Sequence, residues 1–182
     1  MFSSATASRR GSLRQAKSDS GAISYTYLET SIGILLLTSS HSGLQSILFS
    51  KNGRPAAPDS EWRKDASPLQ ETIRQLRAYF AGELDSFDLA LAPQGTVFQQ
   101  RVWGELCRIP YGETISYGEL AKRIGNPNAS RAVGLANGSN PIPIVIPCHR
   151  VIGSNGKLTG YGGGLPIKEK LLALERCQLR LL

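Results

Sequence analysis

Three prolines, Pro141, Pro143 and Pro147, frame the apolar residues 142–146 of this 182-residue chain. Proline fixes φ and removes a backbone donor, so the segment is neither helix nor the middle of a sheet. We expect a short buried strand that ends at Pro147 and delivers Cys148 to a defined exit. His149 and Arg150 follow at once. A thiol is a useful nucleophile only as thiolate, which a nearby base or positive charge favours. Buried cysteines more often serve as small hydrophobes. With a base and a cation beside it, Cys148 reads as reactive.

The local geometry limits what the pair can do. Neighbours on an extended chain point to opposite faces, so His149 reaches the thiol only through a kink after Pro147 or a bridging water. A histidine base also needs an orienting partner on its other nitrogen. Glu175, in a helix expected over 168–176, is the best-placed carboxylate by context. Cys107 and Cys177 lack such neighbours and read as structural.

Composition narrows the remaining classes. A 41% hydrophobic, 19% charged chain of this length can bury a core, as one domain or two small ones. It holds no apolar stretch long enough to span a membrane. Three cysteines and two histidines without paired spacing argue against a disulfide framework and against structural zinc, and suit a reducing compartment. No metal or cofactor is expected. The net charge of +7 is uneven. Residues 1–23 carry four basic and one acidic side chains, residues 24–92 six and eight, and residues 93–182 eleven and five. A polyanion could dock on the C-terminal half; a solvated basic surface fits the charge equally well.

Three segments emerge. Residues 1–23, rich in Ser, Ala, Arg and Gly, read as a disordered basic tail with a faint likeness to an organellar transit peptide. Residues 24–92 read as a small α/β unit. Strands are expected around Tyr25 and Tyr27, over 32–37 and over 44–49, with a loop over 52–59 and a helix whose apolar face is Leu69, Ile73, Leu76 and Phe80. Residues 93–182 open on a capping-box pattern, Thr96 with Gln99, before a helix with Phe98, Val102 and Leu106 on one face. A second box, Ser116 with Glu119, starts a short helix stopped by Gly125-Asn126-Pro127. Another short helix over 129–137 completes a helix-turn-helix. That last helix is made of small residues around one cation, Arg131, which either projects toward DNA or lies in solvent.

The run 140–151, with its Pro147-Cys148-His149-Arg150 core, resembles the active-site signature of the O6-alkylguanine-DNA alkyltransferases (methylated-DNA–protein-cysteine methyltransferases). The likeness covers about residues 93–182, through Ser116-Tyr117, residues 129–134 and residues 161–175. Residues 24–92 are similar to the family's variable first domain. The resemblance implies an α/β (α+β) fold, with a sheet-plus-helix domain before a mainly helical DNA-binding domain. It also implies DNA repair by irreversible, single-turnover transfer of the alkyl group from O6 of guanine to Cys148, with O4 of thymine as a second candidate substrate.

Carried over residue by residue, the resemblance gives each side chain a role. His149 takes the thiol proton through a water, and Glu175 orients His149. Tyr117 protonates the extruded guanine and helps to rotate its phosphate. Arg131 fills the gap left in the base stack, on a helix whose Ala129 and Gly134 face the minor groove. Asn140 ties the helix-turn-helix to the active-site turn, while Pro143, Val151 and Tyr161 belong to the base pocket and its hinge. The implied partner is double-stranded DNA carrying O6-alkylguanine, bound by a monomer with no membrane association. The implied location is the cytoplasm, or the nucleus in a eukaryote. Some relatives bind zinc in the first domain, where this chain offers only His41 among His and Cys. Two other classes share parts of this pattern. A non-enzymatic alkylguanine-binding relative lacks the reactive cysteine, and a DNA-binding regulator has no use for Cys148, His149 and Glu175.

Overall fold

The computed structural model describes residues 21–179. The expected tail lies outside the described residues apart from 21–23, as does the side chain of Cys177. The chain opens with an antiparallel meander, β1 (Ser24–Thr30), β2 (Gly33–Ser40) and β3 (Gly43–Phe49), joined by two-residue turns. A two-residue strand, β4 (Arg63–Lys64), pairs parallel to β1 and gives the order β3-β2-β1-β4. Sequence patterning does not reveal β4, because a pair of exposed basic residues carries no period. Gly43 has φ of +128°, and a Cβ there would collide with the Ala90 carbonyl. That close approach lets Leu44 donate to Ala90 and accept from Ala92, docking residues 90–92 onto β3.

Helix α1 (Gln70–Ala81) covers the sheet and stops at Gly82 in the left-handed conformation, whose amide caps the helix carbonyls. Its buried face is Thr72, Gln75, Leu76 and Tyr79. The expected face is therefore rotated, with Ile73 and Phe80 only half-buried. The rotation follows from polar anchoring: buried Gln75 exchanges hydrogen bonds with the Asp88 backbone, 2.7 and 2.8 Å.

The second half contains α2 (Val97–Leu106), β5 (Ile115–Ser116), α3 (Tyr117–Arg123), α4 (Ser130–Gly138), β6 (Val151–Ile152) and α5 (Leu165–Leu179). The Thr96–Gln99 capping box is complete at the start of α2. At α3 only half of the expected box forms. Ser116 accepts from the Glu119 amide, while the Glu119 carboxylate turns to Arg123 on the next turn. The helix-turn-helix is α3 and α4, with Asn126 and Ala129 in the connecting turn. Trp103 of α2 donates its indole N–H to the Ala136 carbonyl, 2.8 Å, and locks α4 in place. One continuous cluster of buried side chains runs from Leu28 to Leu171 through both halves.

The proline-framed strand does not form. Residues 142–146 are a buried loop with Ile144 at a φ of +78° and a single isolated bridge, Pro143 to Ile146. The prolines leave too few donors for a ladder, and Asn140 supplies the missing partners. Its Nδ2 donates to the Ile146 carbonyl, 2.8 Å, and its Oδ1 accepts from the Ile142 amide, 3.0 Å. Nor is the chain extended at the thiol. Cys148–Arg150 is one 3-10 turn, which brings three consecutive side chains off a tight bend.

Candidate active site

Glu175 sits on α5, fully buried, with both oxygens occupied. Oε1 accepts from His149 Nε2 at 2.7 Å, Tyr79 Oη at 2.8 Å and an Arg150 guanidinium nitrogen at 3.0 Å. Oε2 accepts from Arg150 Nε at 2.9 Å and the Gly112 amide at 3.0 Å. Burial alone would raise this carboxyl, but the His149 and Arg150 bonds and charges hold it down to about 2. A carboxylate can only accept, so His149 carries its proton on Nε2. Burial drives the His149 pKa below its ordinary 6.5 against the pull of Glu175. The ring is therefore neutral, with Nδ1 as its basic lone pair, and no described side chain occupies that nitrogen.

Cys148 precedes His149 in the same turn and is 4% exposed, at the floor of a cavity of about 530 Å³. The cavity lies between the two halves. Ile47, Phe49 and residues 54–57 form one wall, and Asn137, Asn140, Pro143 and Tyr161 form the other. Burial pushes the thiol up to about 11, against smaller downward pulls from Asn140 and from the Lys168 ammonium. Contrary to the sequence-based expectation, Arg150 does not support the thiolate. Its guanidinium is spent on Glu175 and on the Ile109 carbonyl. To act as a nucleophile, a thiol so placed would need a base to take its proton.

Two family models cover most of the chain. The ribonuclease-like domain of 6-O-methylguanine DNA methyltransferase matches residues 23–93, and the DNA-binding domain of the same family matches residues 97–177. The chain belongs to this family. A methylated-DNA–protein-cysteine methyltransferase from Methanosarcina acetivorans is 57% identical over 151 residues, 83% of this chain and 97% of that protein. Among solved structures, the O6-methylguanine methyltransferase of Mycobacterium tuberculosis superposes with a TM-score of 0.79 at 49% identity, covering 87% of this chain and 98% of that one. The Mycobacterium tuberculosis OGT in complex with DNA gives 0.78 at 50% identity, covering 85% and 94%.

The structure gathers some of the expected site residues and separates others. Cys148, Asn140, Pro143 and Tyr161 share the cavity, and His149 and Glu175 stand behind it. Tyr161 packs against Phe49, ring centroids 5.5 Å apart. Tyr117 starts α3 and rests on α4, its ring in van der Waals reach of the space above Gly134. Its hydroxyl accepts from Thr159 Oγ1 at 3.3 Å, which leaves its own proton free to be given away. Arg131 is exposed on α4, and half-buried Ala129 immediately precedes that helix. Val151 is outside the cavity lining. It is core, and its carbonyl accepts from Lys168.

Three contributors escape sequence reading. Tyr79 comes from the first half, off the apolar face that the spacing of its helix predicts. Lys168 is fully buried, donating to the Val151 and Thr159 carbonyls and fastening the 151–164 segment to α5. Asn137 donates to the Cys148 carbonyl at 3.4 Å. None of these shows a local signal, since each acts across the fold.

Breaking the Glu175 cluster has a defined cost. Glu175→Gln leaves the buried guanidinium without its counter-ion, and a loss of about 3–5 kcal/mol in denaturant unfolding is expected. Tyr79→Phe removes one donor of five, with an expected loss of about 1.5–3 kcal/mol. Glu175 has a depressed pKa, so its contribution is complete above the ordinary carboxylate value of 4.5 and disappears as pH falls toward about 2. Acid unfolding curves of the wild type should steepen in that window, and those of Glu175→Gln should be flatter there.

Proposed function

We propose that this protein repairs DNA by transferring the alkyl group from O6 of guanine to Cys148, once per molecule. The observation that carries the reading is a buried thiol at the floor of a cavity large enough to admit a nucleobase, in the same turn as a neutral histidine held by an ionised glutamate. The Cys148 thiol gives its proton to His149 Nδ1 through a bridging water. The sulfur attacks the alkyl carbon, a C–S bond forms, and the C–O bond breaks with its electron pair passing to the guanine. Tyr117 supplies the proton that makes the base a better leaving group. Glu175 stays ionised throughout and stabilises the imidazolium that forms.

The lesion must leave the duplex to reach Cys148, at a cost of a few kcal/mol that bound contacts and an inserted side chain offset. Small residues on α4 suit close approach to the minor groove, and exposed Arg131 is the side chain able to fill the vacated stack. Residues 24–92 and 93–182 act as two domains of a monomer, in the cytoplasm or, in a eukaryote, the nucleus. A thiol and a histidine in one turn weigh against the non-enzymatic reading.

Incubation with duplex DNA carrying isotopically labelled O6-methylguanine, followed by peptide mapping, should put the label on Cys148 alone. Label elsewhere, or none, contradicts the proposal. Arg131→Ala should slow transfer from duplex DNA far more than from the free methylated base, since the stack exists only in the duplex. Equal losses on the two substrates would remove Arg131 from base extrusion.

A further inference from the structure

The sequence Lys51-Asn52-Gly53-Arg54 forms a tight hairpin turn at one edge of the Cys148 cavity. Lys51 and Arg54 exchange both backbone hydrogen bonds, each 2.9 Å, and the two central residues have φ of +50° and +73°. That is the primed two-residue turn an Asn-Gly pair favours. Residues facing each other across such a pair send their side chains to one face. Both cations are exposed, and neither takes part in an ion pair among the described residues. Both line the cavity that holds Cys148, and no carboxylate lines it.

The opposite rim of the same cavity contains Asn137 and Gly138, the C-terminal end of α4. The turn thus faces the end of α4 across the mouth of the Cys148 cavity. We propose that Lys51 and Arg54 form a phosphate clamp that holds the backbone of the lesion-bearing strand at the cavity mouth. The turn supplies two cations on a preorganised support, and the phosphate contact carries no sequence information, as repair of scattered lesions requires. This places part of the DNA site on the sheet half of the protein, away from the helix-turn-helix. The inference rests on the proposed function and adds the position of the backbone to it.

The test uses the full chain with duplex DNA containing O6-methylguanine, across a series of salt concentrations. The double variant Lys51→Gln/Arg54→Gln should make the slope of log affinity against log salt shallower by about 1–2, at about 0.9 per phosphate released. The charge-preserving pair Lys51→Arg/Arg54→Lys should keep the wild-type slope. Transfer from sub-saturating duplex should fall about tenfold more in the glutamine variant than transfer from the free methylated base. An unchanged slope, or equal losses on duplex and free base, overturns the clamp. A wild type that binds the duplex but transfers nothing overturns the proposed function, while the slopes still decide the clamp.

Discussion

Glu175 draws donors from helix α1, from the backbone at Gly112 and from the turn that carries Cys148, all onto one buried carboxylate. Removing two ions from water costs most of what their attraction returns, so such a cluster adds little net stability over an apolar core. Its effect is orientation. With five donors around it the carboxylate cannot rotate, and its ionised state dictates which nitrogen of His149 bears the proton. The free lone pair then belongs to Nδ1. Tyr79 makes that arrangement depend on the sheet half as well, through a single hydroxyl 96 positions away in sequence.

The cavity follows from the same packing. Phe49 of β3 lies against Tyr161 and beneath Gly163, where a Cβ would stand 3.0 Å from the Phe49 ring. The first half thus closes the Cys148 cavity that the second half opens. Asn140 and Lys168 do comparable work on the backbone. One satisfies the loop of 142–146, and the other ties residues 151 and 159 to α5. Each replaces hydrogen bonds that proline-rich or irregular chain cannot make for itself.

Local chemistry was legible in the sequence; the partners across the fold were not. The adjacency of Cys148 and His149 and the capping pattern at Thr96 could be read directly, and Glu175 was named from context. Charge next to a thiol in sequence says nothing about which way a 3-10 turn points it, so the direction of Arg150 is visible only in the fold. For residues 142–146, an apolar run between prolines predicts extended chain where a buried loop forms. Only the structure shows Asn140 taking over the ladder's role. On α1, the apolar spacing pointed to Ile73 and Phe80, yet polar bonds of Gln75 and Tyr79 set the buried face. Periodicity reports hydrophobicity, and here buried polar groups decided the rotation.

In the proposed reaction Cys148 forms a thioether and is consumed, because a C–S bond of that kind does not hydrolyse as a thioester does. Titration of the protein with excess duplex containing labelled O6-methylguanine measures this directly. Demethylation should stop at about one methyl per protein molecule, with every methyl retained on the protein. Continued loss of methyl groups beyond the number of protein molecules, or undiminished transfer by Cys148→Ala, would contradict it.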